Sequence, residues 1–502
     1  MVETVLVLGA GIAGLNAALA LHRPGREVIV IDRDAPPPDT SADEAFESWD
    51  RRGVGHVRHS HAFLARLHNI IRDNYPDLLK DLLDAGCREI KFYENMPVEK
   101  HAAYVAVPGD ADLTILTSRR TTLELVMRRY VMRQQGVTFM PSTLVRSLIV
   151  EQQGVAKKVL GVNIEDADGT RELRADFVVD AGGKNSQATE WLREAGAPIE
   201  ETSAPAGIVY FTRHYRLRDG VDEPARTKNP AAGDLGYIKF GIFPADNRCF
   251  SVTLAVPEIE MEMRRAVVRP EIFDGVCAAI PGMAPWVAPE TSEAKSKVFG
   301  MGELWARWRS MVKDGAPVAL NFYPMGDTVI RTNPLYGRGC SFAAVQAQVL
   351  AQVLDETKDP VARALSFHAK VDKELRPYYN DMLKQDASAI RRAANALNPD
   401  YTPTFKAKLI KSFADDAIMP AARADIRVLR DFMRGFHMID EPGKWIKNLH
   451  NITTVLRYWL KSKKAKEAAD LYPPKLGPER DEMMSLLGLS ARADMERLKA
   501  AA

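Results

Sequence analysis

Three glycines near the start of the chain, Gly9, Gly11 and Gly14, stand in Gly-x-Gly-x-x-Gly spacing. Residues of this type at this spacing suit one task, holding a pyrophosphate against bare backbone. The first glycine permits a tight turn, the second lets the chain approach the phosphates, and the third lets a helix pack closely on a strand. Free N–H groups at the start of that helix, and the positive end of its dipole, would complete the anion site. Asp32 follows at the distance at which an acid accepts hydrogen bonds from a ribose diol. An acid there disfavours a 2′-phosphate, so NADP is set aside at this position and NAD and FAD remain.

A second cluster lies far along the chain, in GDTVIRTNPLYGRGCSFAAVQAQ, residues 326–348. Asp327 offers a carboxylate, Pro334 a rigid backbone, and Gly337 and Gly339 a surface without side chains, all just ahead of a run with helical spacing. The N-terminus of such a helix is a fixed positive pole for charge that develops against it. Bare glycine backbone lets a flat ring lie close. A nicotinamide dehydrogenase has no need of this second cluster; a flavoprotein does.

The elements that must position these residues can be read around them. Residues 5–8 form a short apolar strand, 15–22 have helical composition, Pro24-Gly25 marks a turn, and 28–31 form a second strand ending at Asp32. Together they make a βαβ unit. ADFVVDAGGKNS (175–186) is an apolar strand that ends in Asp180, with Gly182 and Gly183 after it. In SRRTTLELVMRRY (118–130), Leu123, Met127 and Tyr130 recur at helical spacing behind Arg119 and Arg120. Arg58, His59 and His61 share a loop after the second strand; with no third ligand in view, no metal site is expected. Residues 200–300 hold alternating aromatic stretches with a turn at 244–247, which predict a mixed antiparallel sheet inserted into the first domain.

From Ala343 onward the pattern is helical. Near the end, Tyr458 and Trp459 stand beside Lys461, Lys463, Lys464 and Lys466. Two readings fit: a helix packed on the domain with a solvated basic end, or an amphipathic surface that touches lipid or a partner.

The chain's 502 residues exceed one ordinary core, so several domains or an inserted one are expected. A net charge of +2 gives no case for nucleic acid as a partner. Cys87, Cys249, Cys277 and Cys340 are scattered without CxxC spacing, which points to a reducing, cytoplasmic setting. No apolar run reaches the ~18 residues needed to span a membrane.

The glycine and aspartate blocks, in this order, resemble the FAD-dependent monooxygenase superfamily, with the p-hydroxybenzoate hydroxylase fold that flavin halogenases and geranylgeranyl reductases share. The resemblance covers about residues 1–355 and is specific to the superfamily, not to a substrate. It implies an α/β fold with a Rossmann-type FAD-binding domain (1–195 and 301–355), an inserted substrate-domain sheet (196–300) and a helical C-terminal region (356–502). It places Asp327 on the ribityl chain, Pro334 beside the isoalloxazine, and Gly337 and Gly339 at a helix start facing the flavin N1–C2=O edge. Arg120, with Arg119 as runner-up, matches an arginine that contacts FAD in relatives, and Arg33 joins Gly9, Gly11, Gly14 and Asp32 in the cofactor-binding set. Departures exist: Asp180-Ala181-Gly182 replaces the superfamily's usual Asp-Gly element, and the halogenase WxWxIP signature is missing.

The activity implied is a monooxygenase that hydroxylates or epoxidises an apolar small molecule with O₂ through a flavin C4a-(hydro)peroxide. NADPH or NADH would serve as a transient electron donor, or a separate reductase would replace it. The alternative is a flavin-dependent reductase or dehydrogenase of a polyprenyl or lipid; a halogenase and a non-catalytic flavoprotein stand behind these. No catalytic residue can be named from the sequence.

Overall fold

Residues 2–153 and 156–490 are described by the structure, a computed structural model. Glu3–Leu8 and Arg26–Ile31 are apolar at most positions because their sheet is covered on both faces. They belong to a five-stranded sheet in the order Phe322–Pro324, Phe177–Asp180, Glu3–Leu8, Arg26–Ile31, Val137–Met140. Every pairing in it is parallel. Leu8 lies opposite both Ile31 and Asp180, and Asp180 lies opposite Pro324. This register brings three distant segments, those beginning at Gly9, Ala181 and Met325, side by side at the carboxyl end of the sheet. Open α/β sheets bind ligands at that end.

Helix Ile12–Leu21 rises from the first glycine loop and packs against helix Gly339–Glu356, which rises from the last. Both are buried over most of their length in the main core. A separate mixed sheet combines the antiparallel strands Leu144–Gln153, Ala156–Asp166 and Gly169–Arg174 with Ala319–Leu320, which pairs in parallel.

The inserted segment builds a six-stranded sheet around Ile208–Leu217, Lys239–Pro244 and Cys249–Pro257. All its pairings are antiparallel, so the mixing of directions expected here occurs in the 144–174 sheet and not in this one. Side chains alternate across it with period two. Phe211, Tyr215, Phe250, Val252 and Leu254 pack against a helical layer that includes Met263, Phe273 and Val276. Tyr210, Thr212, His214, Ser251, Thr253 and Ala255 occupy the alternate positions, in register Tyr210↔Ala255, Thr212↔Thr253 and His214↔Ser251.

The region beyond residue 356 opens with a 38-residue helix, Pro360–Leu397. Phe367, Val371, Leu375, Tyr378, Tyr379 and Met382 from this helix sit in the same core as the parallel sheet. Segments Phe413–Ile418 and Met419–Ala424 and helices Ile426–Phe436 and Leu449–Leu460 gather around a small core of their own, with Ala417, Ala421, Val428 and Val455 at its centre, and helix Phe405–Ser412 leads into it from the surface. Ion pairs Arg423–Glu99 and Arg430–Asp110, the latter at 2.5 Å, fasten this layer to the first domain. Among the described residues no helix is long and apolar enough to cross a membrane.

Candidate functional site

Each glycine of the first loop faces a different neighbour. A Cβ on Gly9 would lie 2.7 Å from the Ala181 carbonyl oxygen, and its φ of +97° is one that side chains avoid. A Cβ on Gly14 would lie 1.8 Å from the Gly9 carbonyl oxygen, so helix and loop touch there. Gly11 differs: its Cβ would meet nothing nearer than Val54 Cγ2 at 3.9 Å. The protein needs no glycine there for its own packing, and the space stands open above the start of a helix.

The last loop repeats the pattern. Gly326 has φ +61° and its Cβ would come within 2.8 Å of Ala13, seating the Gly-Asp pair on the first helix. Its N–H donates to Gln346 Oε1 at 2.7 Å. Gly337 has φ +62° and fits closely against Ala62, while Gly339 begins an 18-residue helix and a Cβ there would meet nothing nearer than Thr332 Oγ1 at 3.8 Å. Asp327 sits between these features. No hydrogen bond or ion pair reaches its carboxylate among the described residues, and burial raises its pKa against the opposing charges of Arg331, Arg120, Arg307 and Lys184. A half-buried carboxylate without a protein partner gains most where a ligand supplies donors.

Arg120 is buried and held from three sides: Nε donates to Glu124 Oε2 at 3.1 Å, and Nη1 lies 3.1 Å from His61 Nε2 and 3.6 Å from Cys340 Sγ. The His61 tautomer follows. Arginine only donates, so Nε2 accepts, and Nδ1–H donates to the His59 carbonyl at 2.8 Å. Burial first, and the Arg120 charge second, hold the His61 pKa well below its usual value. The same two causes take His56 down to about 3, and burial takes His59 to about 4. These imidazoles are neutral at pH 7 and act through hydrogen bonds. The Cys340 thiol, also buried, has a raised pKa and stays protonated. Arg119, one residue before Arg120, turns away to the buried Asp246 at 2.5 Å and to Asp43.

Asp32 is placed in an ion cluster. Its Oδ2 accepts from Arg51 Nη1 at 2.7 Å and Arg128 Nη1 at 2.9 Å, and its Oδ1 from the Asp34 N–H at 3.2 Å. Arg51 also donates to the Ala10 carbonyl at 3.1 Å, inside the glycine loop, and pairs with Glu124 at 2.7 Å. Arg33 is exposed and points its Nη2 to the Arg52 carbonyl at 3.3 Å. Contacts tie these segments together: Gly9 meets Ala181, Gly326 meets Ala13, Gly337 meets Ala62 and Arg120 reaches Cys340 beside Gly339, while Asp32 is held by Arg51 and Arg128 and Arg33 lies on the surface. Asp180 is a turn former: its buried carboxylate, raised to about 6 by burial, accepts from Ser186 Oγ and the Gly182 N–H at 3.0 Å or less.

Pro334 starts a short turn capped by Asn333, whose Oδ1 accepts from the Leu335 N–H at 3.0 Å. The turn is braced from behind by the long helix. Asn333 Nδ2 and Tyr336 O–H both donate to Asp386 Oδ1 at 2.9 Å, and Arg338 donates to the Tyr378 carbonyl at 2.6 Å. Burial lifts Asp386 to about 6. Sequence reading missed this brace, and also Arg51, Lys184 and Arg331. Lys184 and Arg331 carried one signal, position, each standing within a few residues of a glycine block.

The inserted sheet closes the space from the other side. His59 Nδ1 lies 3.0 Å from Thr212 Oγ1, which lies 3.2 Å from Thr253 Oγ1; that hydroxyl donates to Ser60 at 2.8 Å, and Ser60 to Ser251 at 2.7 Å. Further along, Ile208, Tyr210, Ala255 and Leu304 form an apolar cluster against Met301 and Leu335, the residue after Pro334. The aromatic residues on the opposite face serve core packing.

Glycine loops at two helix starts and a partnerless carboxylate that feels the charges of four cations suit a dinucleotide that carries phosphates, a polyol and a ring that gains negative charge. Comparison with known proteins agrees. A family profile described as "FAD binding domain" matches residues 3–356. The chain is 26% identical over 492 residues to Protein Rv3254 of Mycobacterium tuberculosis, covering 92% of this chain and 96% of that one. It is 22% identical over 478 residues to squalene epoxidase ERG1 of Candida albicans, covering 87% and 85%. Among solved structures it resembles PqsL, a probable FAD-dependent monooxygenase from Pseudomonas aeruginosa. That match has a TM-score of 0.54 and 18% identity, covering 78% of this chain and 96% of that one.

Proposed function

Because the chain belongs to the FAD-binding-domain family and has the p-hydroxybenzoate hydroxylase-like fold, we propose that it is a monooxygenase that hydroxylates or epoxidises an apolar small molecule. FAD-dependent oxidoreduction is the coarser property that the family carries. The observation that supports the finer reading is one placement: the partnerless Asp327 and the Gly339 helix start lie on the same loop as Leu335, which packs on the apolar cluster of Ile208, Tyr210 and Leu304. One relative, squalene epoxidase, is named for a reaction of this kind.

The residues divide the work. Gly9, Gly11 and Gly14 and the helix behind them would hold the pyrophosphate. Asp327 would accept hydrogen bonds from the ribityl hydroxyls. Bound FAD supplies the redox chemistry, taking electrons and activating O₂. N–H groups at the Gly339 helix start would stabilise negative charge on the reduced ring, because they are fixed before that charge appears. Arg120, locked by Glu124 and His61, adds a cation that cannot lose its proton. The inserted sheet keeps water out of the space. NADPH or NADH would donate the electrons.

The test is anaerobic mixing of the purified protein with NADPH, then NADH, following flavin absorbance, and then admitting O₂. Bleaching followed by O₂-consuming reoxidation is expected, accelerated by an apolar substrate. No bleaching with either nicotinamide would remove direct reduction and turn attention to a separate reductase. A protein that binds no FAD would overturn the reading.

A further inference from the structure

Helix Leu449–Leu460 turns its small side inward, with Asn451 and Val455 buried. Its outer side is apolar. Leu449 is 76% exposed, Ile452 38%, Leu456 42% and Leu460 88%, at a spacing that keeps all four on one stripe. Helix Phe405–Ser412 adds a second bare surface with Phe405, Leu409 and Ile410. The two helices are tied at their ends: Trp459 donates its indole N–H to Ser412 Oγ at 3.2 Å and packs edge-on against Phe413. At the other end of the stripe the exposed Phe432 packs on Trp445, with ring centres 5.6 Å apart.

The charges around this surface are mostly positive, with Asp415 and Asp440 paired to Lys411 and Lys444. Residues 441–464 contain six lysines or arginines and one acid, Glu441. Among the described residues Lys406, Lys408, Lys447, Arg457 and Lys464 enter no ion pair, although the chain as a whole is nearly neutral. A second copy of this chain meeting the face symmetrically would set these cations against themselves. A bilayer that carries anionic lipid would match them, with the leucine stripe in the acyl region and the cations at the headgroups.

We propose that the apolar, cation-rimmed face of helices Phe405–Ser412 and Leu449–Leu460 docks peripherally on a membrane surface containing anionic lipid. The proposal stands apart from the redox reading, since neither FAD nor turnover is needed to see it.

The test is co-sedimentation of the FAD-loaded full chain with vesicles of phosphatidylcholine alone or mixed with phosphatidylglycerol, at low and high salt. The expected result is binding to the mixed vesicles that weakens with salt. A Leu456→Glu/Leu460→Glu variant should lose binding, and Lys447→Gln/Arg457→Gln should weaken it on the mixed vesicles by roughly tenfold or more. Both variants replace exposed side chains, so each should keep its flavin absorbance and melting temperature. Three results would overturn the proposal: no sedimentation with either vesicle, binding that the leucine variant leaves unchanged, or a wild-type dimer in solution that the leucine variant makes monomeric. The last would assign the face to a second copy of the chain.

Discussion

Gly11 and Gly14 share one loop, yet a side chain at each would have a different consequence. Gly14→Ala would drive a methyl group into the Gly9 carbonyl, at a cost above about 3 kcal/mol, and a depressed melting temperature is expected. Gly11→Ala meets no protein atom closer than the ordinary contact at Val54. Its fold should survive, with a melting temperature close to that of the unliganded wild type, while FAD is lost on gel filtration. Asp327→Ala should behave in the same way, losing FAD at least about tenfold more readily through missing hydrogen bonds worth about 1.5–3 kcal/mol. Removing that carboxylate takes away a half-buried charge that no protein group pairs, so the unliganded variant should be no less stable than the unliganded wild type.

At the scale of elements, the long helix Pro360–Leu397 holds the Pro334 turn through Asp386. The raised pKa means that the folded protein keeps a proton that the unfolded chain has lost between about pH 4 and about pH 6. Stability from this group is therefore present in full below that window and is lost as pH rises through it. Asp386→Asn keeps an acceptor for Asn333 and Tyr336 without the charge. It should flatten the pH dependence of the melting temperature in that window and raise stability at pH 7, by up to about 2–3 kcal/mol. Asp386→Ala strands two donors and should cost about 1–3 kcal/mol for each. Thermal melts across the window separate the two variants.

Local features explain what could be read from sequence. The βαβ unit, the strand ending at Asp180 and the helix after Gly339 were visible because apolar period and glycine position are properties of neighbours in the chain. Asp386 was invisible because its partners lie fifty residues or more away, and an aspartate in the middle of a helix looks like a solvated one. Asp32 was placed correctly at a strand end, but the two arginines that hold it, Arg51 and Arg128, come from other elements. The sheet at 200–300 was legible as strands; the face each side chain takes was settled only by register.

For the molecule as a whole, the region after residue 356 is part of the main body. Phe367, Val371 and Tyr379 fill the core beneath the parallel sheet. A chain ending at Glu356 keeps every glycine block and the whole span of the family profile, yet it should fail to give a soluble, yellow protein; expression of the truncated chain with FAD supplied checks this. Thr212→Val severs the hydroxyl link between His59 and the inserted sheet, and a loss of about 1–2 kcal/mol is expected with FAD still bound.

The order of the strands also sets a sequence in time. Phe322–Pro324, the edge strand that carries Asp327 into place, is made long after the strands it joins. During synthesis the early glycine loop therefore emerges with half a binding site, and the Phe177–Asp180 strand waits with an unpaired edge. Cofactor capture must follow translation of the last loop, and until then the nascent chain depends on its own packing, or on a chaperone, to keep that edge from pairing elsewhere.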